Sequence, residues 1–203
     1  MEYNTFGIAL RSLRCRWFGK TDLGRWRDSS KFDSDWEDRA KLIARLVPKD
    51  TRVIDFGAGL RTLEKYLDPS CSYIPSDLVS RGSDTIVFDL NERPLPDLTY
   101  LALDVATLAG VVEYINNVPA FVGWLAGQTS ACIVSYECAR NVAGTFGRLP
   151  ENIQRIGAGW VNTYTESELL DVFKSGGFEI TNRISWVTPQ GEEQIFHFRS
   201  RAA

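Results

Sequence analysis

Histidine is almost missing from this chain: the single copy is His197. Chemistry that needs an imidazole base has one candidate, and it lies between Phe196 and Phe198 in the alternation of a late strand. Cysteine is scarce too. Cys15, Cys71, Cys132 and Cys138 form no CxxC pair and show no metal-ligand spacing. That argues against a zinc module and a disulfide framework, for a reducing compartment, and for no metal site. Long apolar runs are also absent. None approaches the ~20 residues of a membrane span, and Phe6 to Leu10 is too short for a signal-peptide core before charges resume. A large charge excess is missing as well: the 203 residues carry a net charge of -3, which gives no global pull toward nucleic acid. There is no internal repeat and no low-complexity tract. A soluble cytoplasmic protein with no membrane partner is expected.

What is present is enough apolar residue, 44%, to build one sizeable core. The charge is uneven. From Arg11 to Arg27 there are six basic residues and one acid, Asp22. Phe6, Ile8, Leu10, Leu13, Trp17 and Phe18 share that region and could line one side of an irregular helix. Residues 1–33 therefore read as an N-terminal arm. It either packs on the core or forms a lid whose arginines meet an anionic group.

Residues 34–203 read as one domain. Ser34-Asp-Trp-Glu37 is a capping box that opens a helix over 34–47, stopped by Pro48. The run Arg52 to Phe56 is a short buried strand. It ends in Gly57-Ala58-Gly59 and feeds a helix of about eight residues reaching Leu67. A strand, a glycine turn and a helix form the first half of a nucleotide-binding unit. Further strands are expected at 72–76, weakened by Pro75, at 85–88, at 105–108 and at 131–135, with a helix over 118–125. Thr165-Glu-Ser-Glu168 is a second capping box, and its helix ends at Gly176-Gly177. Phe178 to Val187 and Gln194 to Arg199 form an antiparallel hairpin across Pro189-Gln-Gly-Glu192. The fold class is α/β, a doubly wound Rossmann-like sheet, mostly parallel, with an antiparallel last strand and helices on both faces. Residues 138–164 interrupt the pattern and are expected to be a functional loop.

Three acids then stand in register. Asp55 ends the first strand, Asp77 the second and Asp89 the third. Ligands of open α/β sheets sit at the carboxyl ends of strands. Asp77 has the spacing from Asp55 at which an acid meets ribose hydroxyls. Asp89 could accept from an exocyclic amine while Leu90 flanks the ring. Strand-terminal Asp is also a common turn residue; it is the three together, around a glycine turn, that point to a ligand. Asp104 precedes its strand and belongs to the opposite, structural edge. A dinucleotide fingerprint wants a small residue where this chain has Thr62. The turn thus suits a ligand without a pyrophosphate.

The stretch Val53-Ile-Asp-Phe-Gly-Ala-Gly59 resembles the first motif of class I S-adenosylmethionine-dependent methyltransferases. Pro75-Ser-Asp-Leu78 looks like their ribose-binding acid, and Phe88-Asp-Leu90 like their adenine-contacting acid. Residues 104–115 are similar to their fourth strand and the turn after it, and Tyr164 to Leu169 with Gly176-Gly-Phe-Glu-Ile180 to their late helix and sixth strand. The resemblance covers about residues 36–200. It implies a seven-stranded sheet and S-adenosyl-L-methionine as cofactor, held by Asp55, Gly57, Ala58, Gly59, Asp77, Leu78, Asp89, Leu90, Ala109 and Gly110. Many relatives carry Glu-His where this chain has Glu113-Tyr114, so no histidine base is carried over.

The chemistry implied is methyl transfer to a small-molecule or sugar acceptor. Candidate bases are Glu137, Tyr114 and Tyr164, each with an alternative packing role, while Glu113 could orient backbone amides. Trp26, Trp160 and Tyr164 offer flat faces suited to sugar rings, and Arg25, Arg27 and Arg140 could meet a carboxylate or phosphate. A nucleic-acid acceptor ranks lower, for want of a sustained basic stripe with stacking platforms. A methyltransferase fold that only binds, and a nicotinamide-dependent oxidoreductase, stay open as alternatives. The oligomeric state is also open.

Overall fold

The computed structural model describes residues 5–28, 36–141, 149–187 and 192–201. Seven strands form one sheet in the order β3-β2-β1-β4-β5-β7-β6. They are β1 (Arg52–Phe56), β2 (Ser72–Asp77), β3 (Ile86–Val87), β4 (Leu103–Ala109), β5 (Thr129–Tyr136), β6 (Phe178–Val187) and β7 (Glu192–Ser200). The first five run parallel to one another, and β7 runs antiparallel to both β5 and β6. The mostly parallel sheet with its closing hairpin is thus present as expected.

Strand side chains alternate between two cores. Ile54, Phe56, Leu108, Val134, Phe196 and Phe198 pack with Phe121, Val122, Leu169 and Phe173 of α4 (Val118–Leu125) and α6 (Glu166–Ser175). Val53, Val105, Ile133 and Ile195, one residue out of phase, pack with Ala40 and Ile43 of α3 (Trp36–Ala44). Helices therefore cover both faces, and the fully buried phenylalanines are worth about 3–5 kcal/mol each on truncation to Ala. His197 lies between the two buried phenylalanines, half-buried, and its burial lowers its pKa.

Several local expectations change. α3 spans Trp36–Ala44, shorter than 34–47. Ser34 of the first capping box lies outside the described residues. The Thr165 box is complete: its side chain accepts from the Glu168 amide, and Glu168 reaches back to the Thr165 amide. No eight-residue helix follows the glycine turn. Arg61 sits at φ +58, the left-handed region, and its guanidinium is held by Glu64 and Asp84 at 2.9 Å each. That backbone cannot continue an α-helix, so only a 3-10 turn, Leu63–Lys65, forms before Asp68-Pro69. Pro75 is accommodated inside β2 because β3 is two residues long. It pairs with Ser76 and Asp77 only, so the proline has a ladder partner on one side alone, Asp55 of β1. Asp104 lies within β4, one residue from its start, and accepts from the Arg52 amide at 2.8 Å.

The N-terminal arm holds α1 (Thr5–Phe18) and the short α2 (Leu23–Trp26). The irregular stretch after β5 holds α5 (Leu149–Gly157), which packs against α1.

Candidate functional site

A cavity of about 330 Å³ opens where β1, β2, β3 and β4 end. That is within the usual size range of small-molecule sites. Its floor is the glycine turn. Gly57 sits at φ +68, where a Cβ would come within 2.6 Å of Val111 Cγ2. Only glycine satisfies both demands there. Gly59 follows at φ +53 and donates its amide to Asp77 Oδ2 at 2.8 Å. The Ala58 amide bonds the Ser76 carbonyl at 3.0 Å, so the turn is tied to the end of β2.

The three acids meet at this cavity in different states. Asp55 is buried, with its two oxygens already accepting from Thr107 Oγ1 at 2.7 Å and Tyr73 Oη at 2.8 Å. Burial pushes its carboxyl up to about 6 in spite of those two bonds. Asp77 accepts from Gly59 and, more weakly, from the Val79 amide at 3.3 Å. It keeps lone pairs for further donors. Asp89 Oδ1 accepts from the Asn91 amide at 2.8 Å and from Thr21 Oγ1 of the arm at 2.7 Å. Leu78, Leu90, Ala58, Ala109 and Gly110 complete this half of the lining, so every residue expected at a cofactor lies on one cavity.

The other half is built from distant segments. Arg39 of α3 pairs with Glu193 of β7 at 3.1 Å, with both side chains almost fully buried. Its guanidinium stacks over Trp36, 5.5 Å from the ring centre, and lies against Gly110, where a Cβ would come within 2.6 Å of Nη1. Trp186 of β6 and Glu137 after β5 line the same wall. Glu113 is 3% exposed, and its Oε1 accepts from the Glu137 amide at 3.4 Å. Burial, with Glu193 nearby, pushes its carboxyl up to about 8. The shift favours its protonated form. Among the described residues, Glu113 Oε2 and Arg39 Nε are buried without a hydrogen-bond partner.

Tyr114 is half-buried on this cavity, with its hydroxyl accepting from Trp160 Nε1 at 3.1 Å. Burial raises its pKa, so at neutral pH the phenol is a donor and not a base. The Trp26 ring meets it edge-on at 4.7 Å, and the Arg25 guanidinium covers both rings. Arg25 also donates to the Ala158 carbonyl at 2.6 Å. Tyr164 does not line the cavity. Its ring packs on Tyr136, and its amide donates to the Tyr136 hydroxyl. Glu137 is half-exposed beside Arg155 at 3.7 Å, and partial burial raises its carboxyl. His197 and Arg140 are likewise absent from the lining. Sequence reasoning missed Arg39, Trp36, Trp186 and Glu193 as site residues, and no local pattern marks them.

The sheet order, the closing hairpin and the placement of the glycine turn are those of class I S-adenosylmethionine-dependent methyltransferases, whose fold this chain has. One solved structure it resembles is the Burkholderia thailandensis 1,6-didemethyltoxoflavin-N1-methyltransferase, with 1,6-didemethyltoxoflavin and S-adenosylhomocysteine bound. It is 13% identical at a TM-score of 0.64, over 94% of this chain and 88% of that one. The mitomycin 7-O-methyltransferase is 15% identical at a TM-score of 0.59, over 82% of this chain and 54% of that one. The (4+2)-cyclase SpnF is 14% identical at 0.59, over 81% and 80%. The chain spans only about half the length of several structures it matches. No protein-family model and no curated protein matches the sequence. At these identities the likeness is one of fold, and one fold serves several reactions.

Proposed function

We propose that this chain is a methyltransferase that uses S-adenosylmethionine and acts on a small-molecule or glycan-type acceptor. One observation carries the reading. The Gly57-Ala58-Gly59 turn, Asp77, Asp89 and Ala109-Gly110 come from four separate loops and line a single cavity. The donor set fits the cofactor part by part. Asp77 suits ribose hydroxyls, and Asp89 suits an exocyclic amine between Leu78 and Leu90. Arg39, whose Nε is unpartnered and whose Nη1 and Nη2 lie against Gly110, suits the carboxylate of the methionine portion.

The cofactor, when bound, supplies a methyl group already activated on a sulfonium. The chain's own task is then to position two reactants, which can lower a barrier by ~7–11 kcal/mol. Trp26, Trp36, Trp160 and Trp186 give the acceptor side flat apolar faces. Tyr114 holds a proton to donate toward an acceptor oxygen. Glu137, half-exposed and on the lining, is the group placed to take a proton. The described part of the arm, residues 5–28, acts as a lid: Thr21 donates to Asp89, Arg81 donates to the Trp26 carbonyl, and the Trp26 ring meets Tyr114 edge-on.

Isothermal calorimetry with S-adenosylhomocysteine tests the reading. Micromolar binding is expected, and no heat at millimolar ligand refutes it. A second reading, a binding protein that performs no methyl transfer, is favoured by Tyr114 standing where many relatives have histidine. Transfer of a labelled methyl group from cofactor to any component of a cell extract removes it.

A further inference from the structure

From Leu10 onward, α1 turns its large apolar side chains outward. It places Ser12, 5% exposed, toward the protein, while Leu10, Leu13, Trp17 and Phe18 are 61%, 48%, 83% and 62% exposed. At 3.6 residues per turn, Leu10, Leu13 and Trp17 fall within roughly 60° of one another on the solvent side. A soluble helix normally shows the reverse pattern, apolar side in. Ile153 of α5, the helix packed against α1, is also 63% exposed. Arginines border the stripe: Arg11, Arg14 and Arg16 are all exposed, and Arg14 lies beside Leu10 on the same face.

We propose that α1 is a membrane-surface helix, which seats the protein on a bilayer containing anionic lipid. Leu10, Leu13 and Trp17 would enter the acyl boundary, and Arg14 at their edge would meet lipid phosphates. An aromatic and aliphatic stripe edged by arginine on a convex helix is the pattern of interfacial binding. Charge decides between occupants. A second copy docked stripe to stripe would set Arg14 and its neighbours against the same basic residues. An anionic surface neutralises them. Arg11 pairs with Asp22 at 3.2 Å and Arg25 is engaged with Trp26, Tyr114 and Ala158, so on α1 it is the exposed Arg14 and Arg16 that would face an anionic membrane. No helix among the described residues is long and apolar enough to cross a membrane, so the association is peripheral.

Co-sedimentation of the full chain with vesicles tests this independently of any methyl transfer. The wild type is expected to pellet with phosphatidylcholine–phosphatidylglycerol vesicles, less so at high salt, and weakly with phosphatidylcholine alone. Trp17→Ala should lower the partition coefficient at least roughly tenfold, and Arg14→Gln roughly fivefold. Both side chains are exposed, so circular dichroism should show unchanged folding. Three results overturn the proposal. They are no binding of the wild type to the mixed vesicles, binding that Trp17→Ala leaves intact, and a wild-type dimer that Trp17→Ala converts to monomer. Capture of an acidic protein without vesicle binding would overturn it as well.

Discussion

The two halves of the cavity are built on different plans. The half lined by Gly57, Asp77, Asp89 and Gly110 comes from the ends of neighbouring parallel strands, each residue fixed by the strand that precedes it. The half lined by Trp26, Arg39, Trp186 and Glu193 comes from the arm, α3 and the final hairpin, joined by contacts as remote in sequence as Arg39 with Glu193. Sheet geometry dictates the first half. The second depends on packing between α3, the arm and the closing hairpin, which no single strand end fixes.

That contrast can be broken most forcefully at Asp77. Asp77→Ala should weaken S-adenosylhomocysteine binding roughly 100-fold, because hydrogen bonds to a charged group are worth ~1.5–3 kcal/mol each. Unchanged affinity in calorimetry would remove the ribose assignment. Gly57→Ala should cost about 1–3 kcal/mol in stability from its left-handed backbone alone, before the clash with Val111. A thermal melt within a degree of wild type would contradict the turn geometry.

On the other half, Trp186→Ala should raise the acceptor KM roughly tenfold and leave cofactor affinity alone. Equal loss of both would mean that the halves are not separable. Glu113→Gln sharpens the comparison through pH. Its folded carboxyl stands near 8 against an ordinary 4.5, so its contribution to stability is complete below 4.5 and is lost as pH rises through 8. Glu113→Gln should therefore flatten the fall in melting temperature across that window. A wild-type profile with no such fall would refute the buried, protonated assignment. The smallest effect is expected at the seam. Thr21→Val removes one neutral donor to Asp89 and should change cofactor affinity only a few-fold.

Legibility followed sequence distance. β6 and the helix over 118–125 were readable to the residue because hydrophobic period and turn residues are local signals. Asp55, Asp77 and Asp89 were readable as a set because each lies within two residues of the end of its own strand. The helix expected after Gly59 was not, because the left-handed Arg61 is held by Asp84, a partner from another loop. Thr21 was passed over because its partner Asp89 is 68 residues away. α1 was legible as an apolar and basic segment, but nothing in its spacing said which side faces the protein. Ser12 turned inward by packing against neighbours that only the folded chain supplies.

The sequence by itself determined the sheet, its closing hairpin and the glycine turn, since periodicity, capping and backbone sterics act over a few residues. Tertiary structure alone decided three further things: that Asp55 is already satisfied by Thr107 and Tyr73, that Glu113 is buried with its carboxyl pushed upward, and that Leu10, Leu13 and Trp17 face outward. Burial and partner choice are properties of what the fold brings near, and no window of sequence contains them.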